Sequence, residues 1–202
     1  MNVLDHSWQR AWSNLGRAAP TGLQALLIAA YREPQRHYHS LQHLEECLAH
    51  FEVTAALAQH PGEVEIALWF HDAIYEVQGK HNERLSADWA AKALTASGAV
   101  ESAISRVDEL IMATCHKASP TLPDQRLLVD IDLAILGAAP ERFSEYDKQV
   151  KQEYSWVPSV LYGFKRKEVL NGFLARPSIF TTPHFQSRLE QTARENLKKA
   201  VA

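Results

Sequence analysis

Apolar side chains return every three or four positions along this chain, and almost nowhere every second one. Leu23, Leu26, Leu27 and Ala30 form one stripe, and Leu41, Leu44, Leu48 and Phe51 the next. That repeat fits a helix of 3.6 residues per turn and conflicts with the two-residue alternation of a half-buried strand. The interruptions agree. Ser40 suits an N-cap, Pro61 and Gly62 break the chain, and Glu63 and Glu65 suit the first turn of the helix that follows. Further helices are predicted over about 82–97, 100–116, 124–137, 141–155, 157–175 and 184–200, with Asp124 as an N-cap, Gly137 as a C-terminal stop and Pro140 in a first turn. No internal repeat or long linker divides the sequence. The expectation is an all-α fold, a single domain over residues 1–202 built as a bundle of roughly ten helices.

Composition narrows the function. A net charge of −3 gives no general electrostatic reason to bind nucleic acid or an anionic membrane. The start of the chain, MNVLDHSWQRAW, lacks the apolar core of a signal peptide, and LQALLIAAY is too short to span a bilayer. Cys47 and Cys115 stand far apart in helical patterns and read as reduced core thiols rather than as a disulfide or a cysteine zinc site. A cytoplasmic protein that works on a small molecule, with neither nucleic acid nor membrane as partner, is the expectation, and the oligomeric state stays open. Ten histidines, several of them between residues 37 and 81, direct attention to metal or acid–base chemistry.

The decapeptide ALWFHDAIYE, residues 67–76, sets an ionisable pair, His71 and Asp72, within an apolar run. A buried carboxylate without a partner costs several kcal/mol, so other segments have to supply one. Two do. RHYHSLQHLEE (36–46) carries His39 and His43 four apart, and LLVDIDLAILG (127–137) carries Asp130 and Asp132 within a strongly apolar segment. One divalent cation would satisfy His43, His71, Asp72 and Asp132 together and leave positions for water and substrate; this mixed N/O set suits Mn, Fe, Co, Ni, Zn or Mg. A lone buried histidine is more often a hydrogen-bonded core residue than a ligand. The metal reading therefore rests on the whole combination.

The order His43, then His71-Asp72, then Asp132 resembles the HD superfamily of metal-dependent phosphohydrolases. YHSLQH (38–43) is similar to the Tyr-His-Asn-x-x-His motif of cyclic-nucleotide phosphodiesterases, which implies His43 as ligand and His39 as general acid. RHYHSLQH, WFHDAIY, NERLSA (82–87), ATCH (113–116), DIDLAILG (130–137), KQEY (151–154) and ARENL (193–197) together resemble a small bacterial group of predicted HD phosphohydrolases. The resemblance implies an HD-type helical bundle, selects Asp132 over Asp130, and implies one tightly bound divalent metal with a second possible. It departs at Tyr75, where the phosphodiesterases place a further histidine.

On this reading the protein hydrolyses a phosphoester of a nucleotide or related small molecule, whether mono- or diester. His39 protonates the leaving oxygen. Glu76 and Glu83 either orient the attacking water and the ligand shell or are solvated surface carboxylates. Arg36 and Lys117 are candidate phosphate contacts, and His116 either reaches substrate or caps a helix C-terminus. Two other readings stand beside it: an HD-fold regulatory protein that binds nucleotide and metal without turnover, and an HD-fold di-iron oxygenase.

Overall fold

A computed structural model describes residues 2–116 and 118–202. It is all-α: ten helices and two short 3-10 segments, with no strand among the described residues. The chain divides into two compact units, Met1–Ile131 and Asp132–Ala202.

In the first unit, α1 (Val3–Asn14) is capped by the Asn2 side chain, which accepts a hydrogen bond from the Asp5 amide at 2.8 Å. It is followed by α2 (Leu23–Ala30), α3 (Leu41–Thr54), α4 (Pro61–Phe70), α5 (Asn82–Ala96), α6 (Glu101–Ala113) and α7 (Pro123–Asp132). Helix α4 is the centre. Every residue from Gly62 to Phe70 is buried, and α1, α3, α5 and α6 all pack on it. This explains why PGEVEIALWF has no polar face: a helix wrapped on all sides has none to offer.

Its two carboxylates are buried with partners. Glu63 takes a two-pronged contact from Arg106 of α6, at 2.6 and 2.7 Å. Glu65 accepts from the Ser7 hydroxyl at 2.6 Å and from Arg10 at 2.6 and 3.0 Å, while Trp69 Nε1 donates to the same Ser7 oxygen at 3.0 Å. Arg10 also pairs with Glu52. Trp8 packs edge-on against both Trp12 and Trp69, as the four-residue spacing of the first two suggests. Asp124 lies inside the first turn of α7 and does not cap its own helix. Its carboxylate accepts the Gln59 and His60 amides, at 2.7 and 3.0 Å, at the entrance to α4.

In the second unit, a 3-10 segment (Leu133–Gly137) leads to α8 (Pro140–Glu153), α9 (Ser159–Leu174) and α10 (Pro183–Val201). The helix expected over 124–137 thus tightens after Asp132 instead of running on as α-helix. Gly137 is required by proximity: a β-carbon there would lie 2.6 Å from Leu189 Cβ and 2.9 Å from the Leu189 carbonyl oxygen on α10. Backbone cannot step aside cheaply, so Gly137→Ala is expected to destabilise the protein by about 1–3 kcal/mol in urea unfolding.

The Glu190 carboxylate of α10 holds the segment before that helix. It accepts the Ile179 and Phe180 amides at 3.0 and 3.1 Å, the Ser178 hydroxyl at 3.1 Å and Arg194 Nε at 2.7 Å. Burial pushes this carboxyl up, but those amides, the hydroxyl and the guanidinium outweigh burial and hold it below the usual carboxylate range. A depressed folded-state value means that its stabilisation is complete above the unfolded value of about 4.3 and fades as pH falls through the folded one. Glu190→Gln is therefore expected to cost about 1–3 kcal/mol at neutral pH. The gap between variant and parent should close on acidification, as followed by thermal melts across pH.

Candidate metal centre

Helix α4 stops at Phe70. His71 is its C-cap residue (φ −55°, ψ −37°), and Asp72 lies in the turn beyond. The pair is therefore not inside an apolar helix, as the sequence pattern suggests, but on the chain leaving one. The backbone leaves the helix there through a tight turn, in which the Ala73 amide donates to the Phe70 carbonyl at 2.9 Å.

Arg36 holds this exit. Its guanidinium is buried and donates to the carbonyls of Asp72 at 2.6 Å, Ala73 at 3.0 Å and His39 at 3.1 Å, while Nε reaches Glu33 at 3.0 Å. It also lies over the rings of Tyr31 and Tyr75. The expectation of Arg36 as a phosphate contact is corrected by this arrangement. Its donors are occupied by the backbone carbonyls of Asp72 and Ala73, just beyond α4, and of His39, just before α3. Its role is to position the His71-Asp72 turn.

His71 and His43 meet through their Nε2 atoms at 3.1 Å, both rings buried. His71 Nδ1 lies 2.8 Å from the Leu68 carbonyl, which commits that nitrogen and turns Nε2 toward His43 and Asp72. Two facing imidazole nitrogens at this distance require a shared proton or a shared cation. The Asp72 carboxylate closes on both, with Oδ2 3.2 Å from His71 Nε2 and 3.6 Å from His43 Nε2. The three separations, 3.1, 3.2 and 3.6 Å, define a circle of radius about 1.9 Å, shorter than a metal–imidazole bond of roughly 2.0–2.1 Å. One cation can therefore touch all three donors without any of them moving.

Two more donors, Cys47 and Asp132, gather on the same pair of histidines in a second set that does not include Asp72. Asp132 is the last residue of α7, and Cys47 lies on α3 one turn beyond His43. One donor atom each from His43, Cys47, His71 and Asp132 all lie within 4.8 Å of one another. Three of the four residues are buried and Asp132 is half-buried. Asp130, its rival in sequence, is fully buried on the same helix and is not in this group. Burial pushes the Asp72 carboxyl up, but the charges of His71, His39 and His43 and the hydrogen bond to His71 hold it well below the usual carboxylate range. The site thus keeps an anion facing its histidines.

The other expected residues are distributed around this centre. His39 is half-buried, its ring stacked on Tyr75 at 4.1 Å and centred 6.1 Å from the His43 ring. Tyr75, where the sequence departs from the phosphodiesterase pattern, is thus a platform for His39. Glu76 is exposed, and Asn82 fixes its backbone at 2.9 and 3.1 Å. Glu83 is half-buried in the first turn of α5. Among the described residues neither glutamate joins the donor group. His116 follows the end of α6 in a left-handed conformation (φ 52°), and Lys117 lies outside the described residues.

Sequence reasoning missed Cys47 as a donor. The signal was available, since a residue four positions after a ligand shares its helical face. No helix among the described residues is long and apolar enough to cross a membrane. No family model, curated protein or solved structure matches the chain.

Proposed function

We propose that the protein is a cytoplasmic, metal-dependent phosphohydrolase of the HD type, acting on a phosphoester of a nucleotide or related small molecule. The observation that carries this is the facing pair of His43 and His71 Nε2 atoms with the Asp72 carboxylate across both. The order of His43, His71-Asp72 and Asp132 along the chain supports it through its resemblance to that superfamily.

His43, His71, Asp72 and Asp132 would hold a divalent cation. When bound, such an ion supplies a Lewis acid that polarises a phosphoryl oxygen and makes water a competent nucleophile near neutral pH. The chain's own groups do the rest. Arg36 fixes the carbonyls behind Asp72, so that the carboxylate stays aimed at the imidazoles. His39, held flat on Tyr75 beside the donor group, protonates the leaving alcohol oxygen as the P–O bond breaks and the water oxygen bonds to phosphorus. The partial exposure of Asp72 and Asp132 gives the centre a wet side, while the imidazoles lie within the core.

The test is to purify the full chain, measure its metal, and screen phosphomonoesters, nucleotides and cyclic dinucleotides with Mn, Co, Ni, Zn or Mg. Phosphate or nucleotide release that disappears in Asp72→Ala is the expected result. His39→Ala is expected to lower turnover about 100-fold while metal content is retained; full turnover in that variant would remove His39 from the mechanism. Tight nucleotide binding with no release from any ester would overturn the hydrolase reading in favour of a binding protein.

A further inference from the structure

The oxygen and nitrogen donors leave the identity of the ion open among several divalent metals. Cys47 narrows it. Its side chain projects from the same face of α3 as His43, one turn on, and it is buried. Its sulfur lies 3.8 Å from both ring nitrogens of His43 and belongs to the group whose donor atoms all lie within 4.8 Å of one another. A sulfur about 2.3 Å and an imidazole nitrogen about 2.1 Å from one tetrahedral ion stand roughly 3.6 Å apart, a value the present separation nearly equals. Packing alone does not require a sulfur at this point, because alanine or valine would fill the same face of the helix.

We propose that the Cys47 sulfur is a direct ligand of the cation held by His43 and His71, and that the centre therefore selects zinc, cobalt(II) or iron(II) over magnesium. This rests on the reading of the centre as a metal site. The thiol gives its proton to solvent as the sulfur–metal bond forms, with no change of oxidation state. Thiolate is a soft donor suited to zinc and its neighbours, whereas magnesium demands a nearly regular shell of oxygens. Two imidazoles, a thiolate and carboxylate oxygens meet the first demand and not the second.

The experiment uses the metal-stripped full-length protein, titrated with cobalt(II) without oxygen and followed by absorption. Sulfur ligation gives an intense thiolate-to-cobalt charge-transfer band in the near ultraviolet, alongside the weaker visible bands of the ion. The expected result is one cobalt per chain with that band. Cys47→Ser should bind cobalt without the band and bind zinc at least about 10-fold more weakly, with its far-ultraviolet circular dichroism unchanged. Cobalt bound with only the visible bands, or zinc affinity unchanged in Cys47→Ser, would overturn sulfur ligation and leave the metal centre standing. A wild-type chain that binds neither cobalt nor zinc would overturn the centre itself. If the serine variant does not fold, the wild-type spectrum decides alone.

Discussion

An Arg10→Ala chain is expected to unfold about 3–5 kcal/mol more easily than its parent in urea or heat, among the largest stability losses a single exposed-looking residue can cause. The reason is Glu65, which is 0% exposed on the central helix. Arg10 reaches both of its oxygens, and Ser7 and Trp69 complete the chain of donors. The hydrogen bond to Glu65 raises the Arg10 pKa further against the opposing effect of burial, so the cation is held charged at every accessible pH. Removing it leaves a carboxylate in the core with one hydroxyl for company. Removing both partners is a different matter: Arg10→Met with Glu65→Leu should recover most of the loss, because the buried charge is gone as well. A double variant as unstable as Arg10→Ala would show that packing, rather than the orphaned charge, is responsible.

His71→Ala is expected to abolish both metal content and ester hydrolysis. Changes in groups that merely support a ligand cost metal affinity about 10–100-fold, and loss of a ligand at the centre of the donor triangle should cost roughly 1,000-fold or more. His71 has no substitute, since its Nε2 faces His43 Nε2 at 3.1 Å and its Nδ1 is committed to the Leu68 carbonyl. Elemental analysis of the purified variant, with thermal melts in the presence and absence of zinc, provides the measure. The parent should gain stability with added metal as binding favours the folded state, and the variant should not. A variant that keeps its metal would move the centre elsewhere.

Much of this was readable before any coordinates. Five of the six later helices lie close to their expected spans because a 3.6-residue apolar repeat reports burial directly. The same signal is silent about polar groups in the core. Arg36 reads as a candidate phosphate contact because arginine is seldom buried, yet three backbone carbonyls hold it inside. Cys47 reads as a small apolar residue because that is how a cysteine behaves in a periodicity count. Phe70 and His71 look continuous with one helix because no glycine or proline marks the stop. Just past that terminus a distant guanidinium binds the carbonyls of Asp72 and Ala73, which no local pattern can register. Asp124 carries a capping residue's chemistry but spends it on another helix's entrance, for the same reason.

The wrapping of α4 by four other helices also bears on time. Its amides can exchange with solvent only when those neighbours separate together, so they belong with the slowest-exchanging in the first unit, close to the limit set by global unfolding. His71 is the next residue along, and its amide still donates to Ala67 within that helix at 2.8 Å. One arm of the donor triangle is thus fixed to the least frequently opening part of the first unit, and whatever motion admits an ion or a substrate belongs to the other arms.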